Sequence, residues 1–206
     1  MDSRVMVKAL ALGFLSASMS ASGTAFACDG KYIAVEKPEL ERSFQALEND
    51  AAKKTDRVFA FKTVVCSNEP EFRRLAIEAA LTSKDTSLRA LGLAELLMQR
   101  ERIRVDLAPS ANLDPETKRW VDSTGGVLNF FFGAKDRTRN CIVFGTGGVE
   151  YACDPPSLKI DGLSVRLATS DSPAIIGDFR LEPENFLKGQ IKYGQGIMPA
   201  KIELVK

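Results

Sequence analysis

The chain has 206 residues, with 28 Lys and Arg, 27 Asp and Glu, four cysteines and no histidine. The balanced charge excludes a nucleic-acid protein that works by bulk positive charge. The lack of imidazole excludes Ser-His-Asp and Cys-His catalysis and the histidine-based zinc motifs.

The chain opens with a secretory pattern over residues 1–27. Asp2, Arg4 and Lys8 form a short charged start, Ala9–Leu15 is apolar, and Ala25-Phe26-Ala27 fits a small-x-small cleavage site. Cleavage there removes two cations and one anion and leaves residues 28–206 with 26 of each. No later segment has the roughly 20 unbroken apolar residues that a spanning helix needs. The expected location is periplasmic or extracellular.

The cysteines are Cys28, Cys66, Cys141 and Cys153. An even count in an exported chain predicts two disulfides. Pairing within each half favours Cys28–Cys66 and Cys141–Cys153 over the two other connectivities. Cys28 would also be the first residue after cleavage, the position of a lipid anchor, but Ala25 stands where lipoprotein signals carry an aliphatic residue. A zinc site would need four scattered thiolates to converge without a Cys-x-x-Cys. No metal and no cofactor is expected.

Residues 28–108 read as a helical region. Pro38 suits the first turn of a helix whose apolar face is Leu40, Phe44, Leu47 and Ala51. The Val58-Phe59-Ala60-Phe61 run within Arg57–Cys66 fits a helix or a strand, and its helical neighbours favour a helix. Asn68 is the expected cap of the next helix, with Pro70 in its first turn and Phe72, Leu75, Ala76, Ala79 and Ala80 on its inner face. Asp85 is expected to cap the one after, striped by Leu88, Leu91, Leu96 and Leu97. These two helices resemble a single HEAT-type pair, and one pair makes no solenoid. Arg100, Arg102 and Arg104 would close that helix, where the dipole favours positive charge.

Residues 109–120 read as a linker with one short helical turn, because Pro109, Asn112 and Pro115 interrupt any pattern. From residue 121 to 206 the composition changes. Eleven of the fifteen glycines follow Thr124, and runs of alternating apolar residues lie between them. Val127–Phe132, Asn140–Phe144, Val149–Cys153, Leu163–Ala168, Ile175–Glu182, Gln190–Tyr193 and Ala200–Val205 are the expected strands. Gly145-Thr146-Gly147-Gly148 and Asp161-Gly162 are the expected hairpin turns. The architecture expected is α+β: an N-terminal helical hairpin or bundle followed by an antiparallel β-sandwich or barrel-like domain, with Lys201–Lys206 as an exposed edge.

Several residues are candidates for recognition. Lys135, Arg137 and Arg139 cluster beside Asp136 in a loop next to Cys141, and that positive charge suits an anionic partner. Trp120, the only tryptophan, is placed to seal the join between the two halves or to stack on a ligand. Phe130-Phe131-Phe132 puts adjacent rings on opposite strand faces, so either both faces are covered or one is sticky. Asp178, Arg180 and Glu182 share a strand face. Four strand residues span about 13 Å, too far for Asp178 and Glu182 to act across one glycosidic bond; a partner acid such as Asp154 or Asp161 would have to come from another strand. No catalytic residue is assigned. The function expected is that of an exported, non-catalytic protein of inhibitor, immunity or envelope-assembly type, whose partner is an envelope or secreted protein. The alternatives are a carboxylate-dependent hydrolase of cell-wall glycan and a carrier of lipid or small ligands. Oligomeric state is left open.

Overall fold

The computed structural model describes residues 28, 31–108, 110, 113–148, 150 and 153–204. Residues 1–27, where a secretory signal is expected, most of the expected strand Val149–Cys153, Pro109, Asn112 and the last two residues of the expected edge lie outside them.

Four helices come first: α1 (Lys37–Glu48), α2 (Lys54–Val65), α3 (Pro70–Thr82) and α4 (Thr86–Gln99). Pro38 and Pro70 stand in first turns, where a missing N–H costs nothing. Asp85 caps α4 by accepting from the Ser87 N–H at 2.7 Å. Asn68 does not cap α3; that position belongs to Glu69, whose side chain makes no capping bond. The ambiguous α2 is helical, and its buried residues Ala60, Phe61, Val64 and Val65 recur at helical spacing along one face while Phe59 stays exposed on the other. Helices α1 and α2 pack together, as do α3 and α4, with α2 joining the pairs. Cys28–Cys66 ties the first described residue to the end of α2.

The remaining elements are β1 (Arg102–Leu107), α5 (Pro115–Thr124), β2 (Val127–Asp136), β3 (Cys141–Phe144), β4 (Ser157–Asp161), β5 (Ser164–Ala168), β6 (Ile175–Leu181), β7 (Phe186–Tyr193) and β8 (Gly196–Glu203). The strands form a closed antiparallel barrel in sequence order, with β8 returning to β1. Several sequence expectations change here. Arg102 and Arg104 do not close a helix, because α4 ends at Gln99 and both lie on β1. Their alternation with buried Ile103 and Val105 is a strand pattern. Within residues 109–120, Pro115 begins a ten-residue helix, capped by Asp114, which accepts from the N–H groups of Glu116 and Thr117 at 3.0 Å. Strand β3 pairs with β2 on one side and with Ser157–Lys159 of β4 on the other. The tight turn after β4 centres on Gly162 and Leu163, with Asp161 opposite Ser164 and Gly162 at φ 58°. That positive φ favours glycine. The expected edge does not exist among the described residues, because β8 pairs with both β7 and β1.

Inward residues alternate with outward ones along most of the strands, while β3 is buried on both faces. Ile103, Val105, Leu128, Ile142, Leu158, Ile160, Val165, Leu167, Leu187, Ile191, Met198 and Ile202 are buried and fill the cylinder, as eight strands permit. Each such aliphatic side chain contributes about 1.5–3 kcal/mol. They belong to one continuous core with the helical residues.

The two ends of the barrel are covered by different helices. At one end stands α4. Its Arg89 donates to the Glu182 carbonyl at 2.5 Å, and the following Arg100 donates to the Leu204 carbonyl. At the other end stands α5, whose Thr117 hydroxyl donates to the Tyr193 carbonyl at 3.3 Å. Beside α5, the Leu107 N–H donates to the Gly126 carbonyl at 2.8 Å.

Candidate functional site

Lys135 and Asp136, expected in a loop, are the last residues of β2, and together with the turn after it they face the protein itself. Lys135 donates to the Met98 and Arg100 carbonyls at 2.9 and 2.6 Å, covering the open C-terminus of α4. Burial there pushes the Lys135 ammonium below its ordinary value, and nearby Arg137 adds to the shift. Arg137 donates to Glu95 at 2.7 Å. Arg139 donates to Asp136 at 2.5 Å, and Asp136 also accepts from the Thr138 and Arg139 N–H groups. The positive charge of this loop is therefore matched within the fold.

Trp120 lies on α5 and stacks on Tyr193 of β7, with ring centroids 4.1 Å apart and planes 6° from parallel. It closes the barrel end remote from α1–α4, so it does not seal the join between the halves; α4 does. Phe130 points inward and Phe131 outward, 60% exposed, so the aromatic run leaves one face bare. Cys141–Cys153 fastens β3 to the loop that follows it.

Asp178, Arg180 and Glu182 separate. Asp178 and Arg180 point outward from β6, whereas Glu182 lies beyond the strand in the turn held by Arg89. Around Asp178 and Arg180 the register builds two adjacent rows across the outer face of β4–β7. One row runs Lys159, Arg166, Asp178, Gln190. The next runs Asp161, Ser164, Arg180, Lys188, and continues to Lys201 on β8. The rows flank an open groove of about 480 Å³. A tight contact holds its far side together: a Cβ on Gly189 would stand 2.0 Å from the Asp178 carbonyl oxygen, so β7 approaches β6 closely there.

The charges are arranged against the usual preference. Lys159 directly opposes Arg166, Arg180 opposes Lys188, and Lys188 opposes Lys201. Like charges directly opposite each other destabilise a sheet. Arg166 reaches Asp178 at 3.8 Å, with both side chains more than half exposed. Lys201 is matched by Glu203 at 2.8 Å and lies over the Phe186 ring. Lys159, Arg180 and Lys188 have no partner among the described residues. A cluster of this kind, with acceptors on two sides, can hold acid groups and hydroxyls together.

No protein family, curated protein or solved structure significantly matches this chain.

Lys159, Arg166 and Lys188 escape sequence reasoning. Alternation places each on an outer face, but only the cross-strand register shows that they stand beside Asp178 and Arg180. Among the described residues, no group of three Cys, Asp or Glu side chains is placed to hold a metal ion.

Proposed function

We propose that this is an exported, non-catalytic protein that binds an envelope or secreted macromolecule through the outer face of β4–β7. The observation that carries this reading is the set of directly opposed cations, three of them without a partner among the described residues, on a face where sheets avoid such pairs. A bound partner supplies the missing counter-charge. Export rests on the pattern of residues 1–27, and two disulfides agree with an oxidising compartment. Because the Cys28 sulfur is joined to Cys66, it is not available to a lipid anchor.

The alternatives have less support. The core-filling side chains occupy the space that a carrier would need for its ligand. Asp161 and Asp178 share the groove, as a hydrolase would require. Their strand positions, two strands and one row apart, are separated by about 12 Å, beyond the usual spacing of glycosidase carboxylates.

Affinity capture from native envelope and secreted fractions tests the reading. The oxidised chain should retain one component stoichiometrically, and the K159E/K188E variant should lose it. Equal retention by both, or no retention by either, overturns it. N-terminal sequencing of the fractionated protein should begin at Cys28.

A further inference from the structure

The layout of the groove narrows the kind of macromolecule. This inference rests on the binding reading above. The two cation pairs, Lys159 with Arg166 and Arg180 with Lys188, lie on a diagonal. Their centres are separated by two strands and one row, about 12 Å. A single small anion satisfies one pair and leaves the other unmatched, so the pattern calls for an extended ligand with spaced acid groups. The other corners of the same patch are acceptors: Asp161 and Ser164 in one row, Asp178 and Gln190 in the other. Carboxylates there repel a ligand that is acidic throughout, such as an acidic peptide segment. They accept hydrogen bonds from hydroxyl groups. An acidic sugar polymer supplies spaced acid groups with hydroxyls between them on one chain, and so matches both kinds of corner.

We propose that the outer face of β4–β7 binds a linear acidic polysaccharide. Acid groups on alternate sugar residues sit on the two cation pairs, and the intervening hydroxyls donate to Asp161, Asp178 and Ser164. Both pairs lie on outward strand positions held by paired backbone on either side, so the recognition surface is formed before the ligand arrives.

Calorimetric titration of the oxidised protein with an oligosaccharide of alternating uronate and N-acetylhexosamine tests this, with a neutral chitin oligosaccharide of equal length and polyglutamate as comparisons. The expected result is saturable binding of the acidic sugar alone, weakening with salt as exposed charge contacts do. K159E/R166E and R180E/K188E should each weaken it by about tenfold or more, the scale of losing charged hydrogen bonds. D178N should narrow the preference for the acidic sugar over polyglutamate, because it removes a carboxylate that repels a wholly acidic chain. All these side chains are exposed, and Trp120 emission and circular dichroism verify that each variant is folded. Equal binding of the neutral chain, or affinity unchanged in both charge reversals, overturns the inference. Binding of polyglutamate as tight as that of the sugar overturns the sugar class and leaves the macromolecule-binding reading intact. If no anionic polymer binds while the capture experiment still retains a component through Lys159 and Lys188, the polysaccharide inference alone fails. If both experiments are blank, both readings fail.

Discussion

Arg137 and Glu95 meet across the boundary between the helices and the barrel. The guanidinium lies 2.7 Å from a carboxylate that is 1% exposed, and Gln99 donates to the other oxygen of the same carboxylate at 3.1 Å. Removing one partner from such a pair strands a buried charge. The Arg137→Ala variant should therefore lose about 3–5 kcal/mol in denaturant unfolding. The R137M/E95M double variant should recover most of that loss, because replacing both charges with apolar groups of similar length removes the stranded carboxylate. A loss in R137A below about 1 kcal/mol would mean that water reaches Glu95.

The neighbouring Asp136 sets an acid response. Hydrogen bonds from the Arg139 N–H and guanidinium hold its carboxyl below the usual carboxylate value, with the Thr138 N–H adding to them. A group with a lowered folded-state value contributes its full stabilisation above the unfolded value of about 3.9, and that contribution disappears as pH falls through the folded value. Asp114, held down by Thr117, and Asp85 act in the same direction. For Asp85, partial burial opposes the shift and is outweighed by bonds from the Ser87 N–H and by Lys54. Urea midpoints measured between about pH 6 and pH 2 should fall in the wild type. They should fall less steeply in the Asp136→Asn variant, which starts from a lower value at neutral pH. Parallel curves for the two proteins would overturn the assignment.

Gly189 offers a steric test. An added methyl group would meet the Asp178 carbonyl oxygen at 2.0 Å and the Phe179 Cα at 2.7 Å, and neither is the end of a flexible side chain. Gly189→Ala should cost about 1–3 kcal/mol by forcing β7 away from β6. Because Lys188 and Gln190 flank it, the same change should also alter the groove. Thermal unfolding reads the first effect and ligand titration the second.

The Trp120–Tyr193 stack reports on the barrel end closed by α5. Tyr193→Ala should reduce stability by about 1 kcal/mol or somewhat more, the range of an aromatic pair with its associated burial. It should also shift Trp120 emission to longer wavelength before global unfolding begins. An unchanged spectrum would show that the indole is held by its other neighbours alone.

How much of this was legible in the sequence follows from the range of the interactions involved. Asp85 and Pro38 act within one helical turn, so their roles show in a few adjacent residues. Val165 and Leu167 alternate with polar neighbours, which exposes the inner face of β5. Cys28–Cys66 and Cys141–Cys153 follow from grouping each pair within one half of the chain. Strand β1 is harder to see because it follows α4 after only Arg100 and Glu101, without a glycine or proline to mark the change. Helix α5 hides among prolines, although Asp114, Pro115 and Gly125 are in fact its cap, its first residue and its left-handed end. The fate of Lys135 and Arg137 depends on α4, more than thirty residues earlier, and no local pattern encodes that distance. The same limit conceals the groove, because the neighbours of Asp178 come from three other strands.

The closed order of the barrel has a kinetic consequence. Each strand from β1 to β7 pairs with the one that follows it, and only β1 with β8 joins distant parts of the chain, Val105 opposite Ile202. Pairing between neighbouring strands incurs small loop-closure entropy, whereas the final seam must close a loop of nearly half the chain. The hairpins of β4 to β8 are thus the natural nucleus, and the β1–β8 seam forms late. Substitutions at Val105 should mainly accelerate unfolding, while substitutions at Val165 should slow refolding.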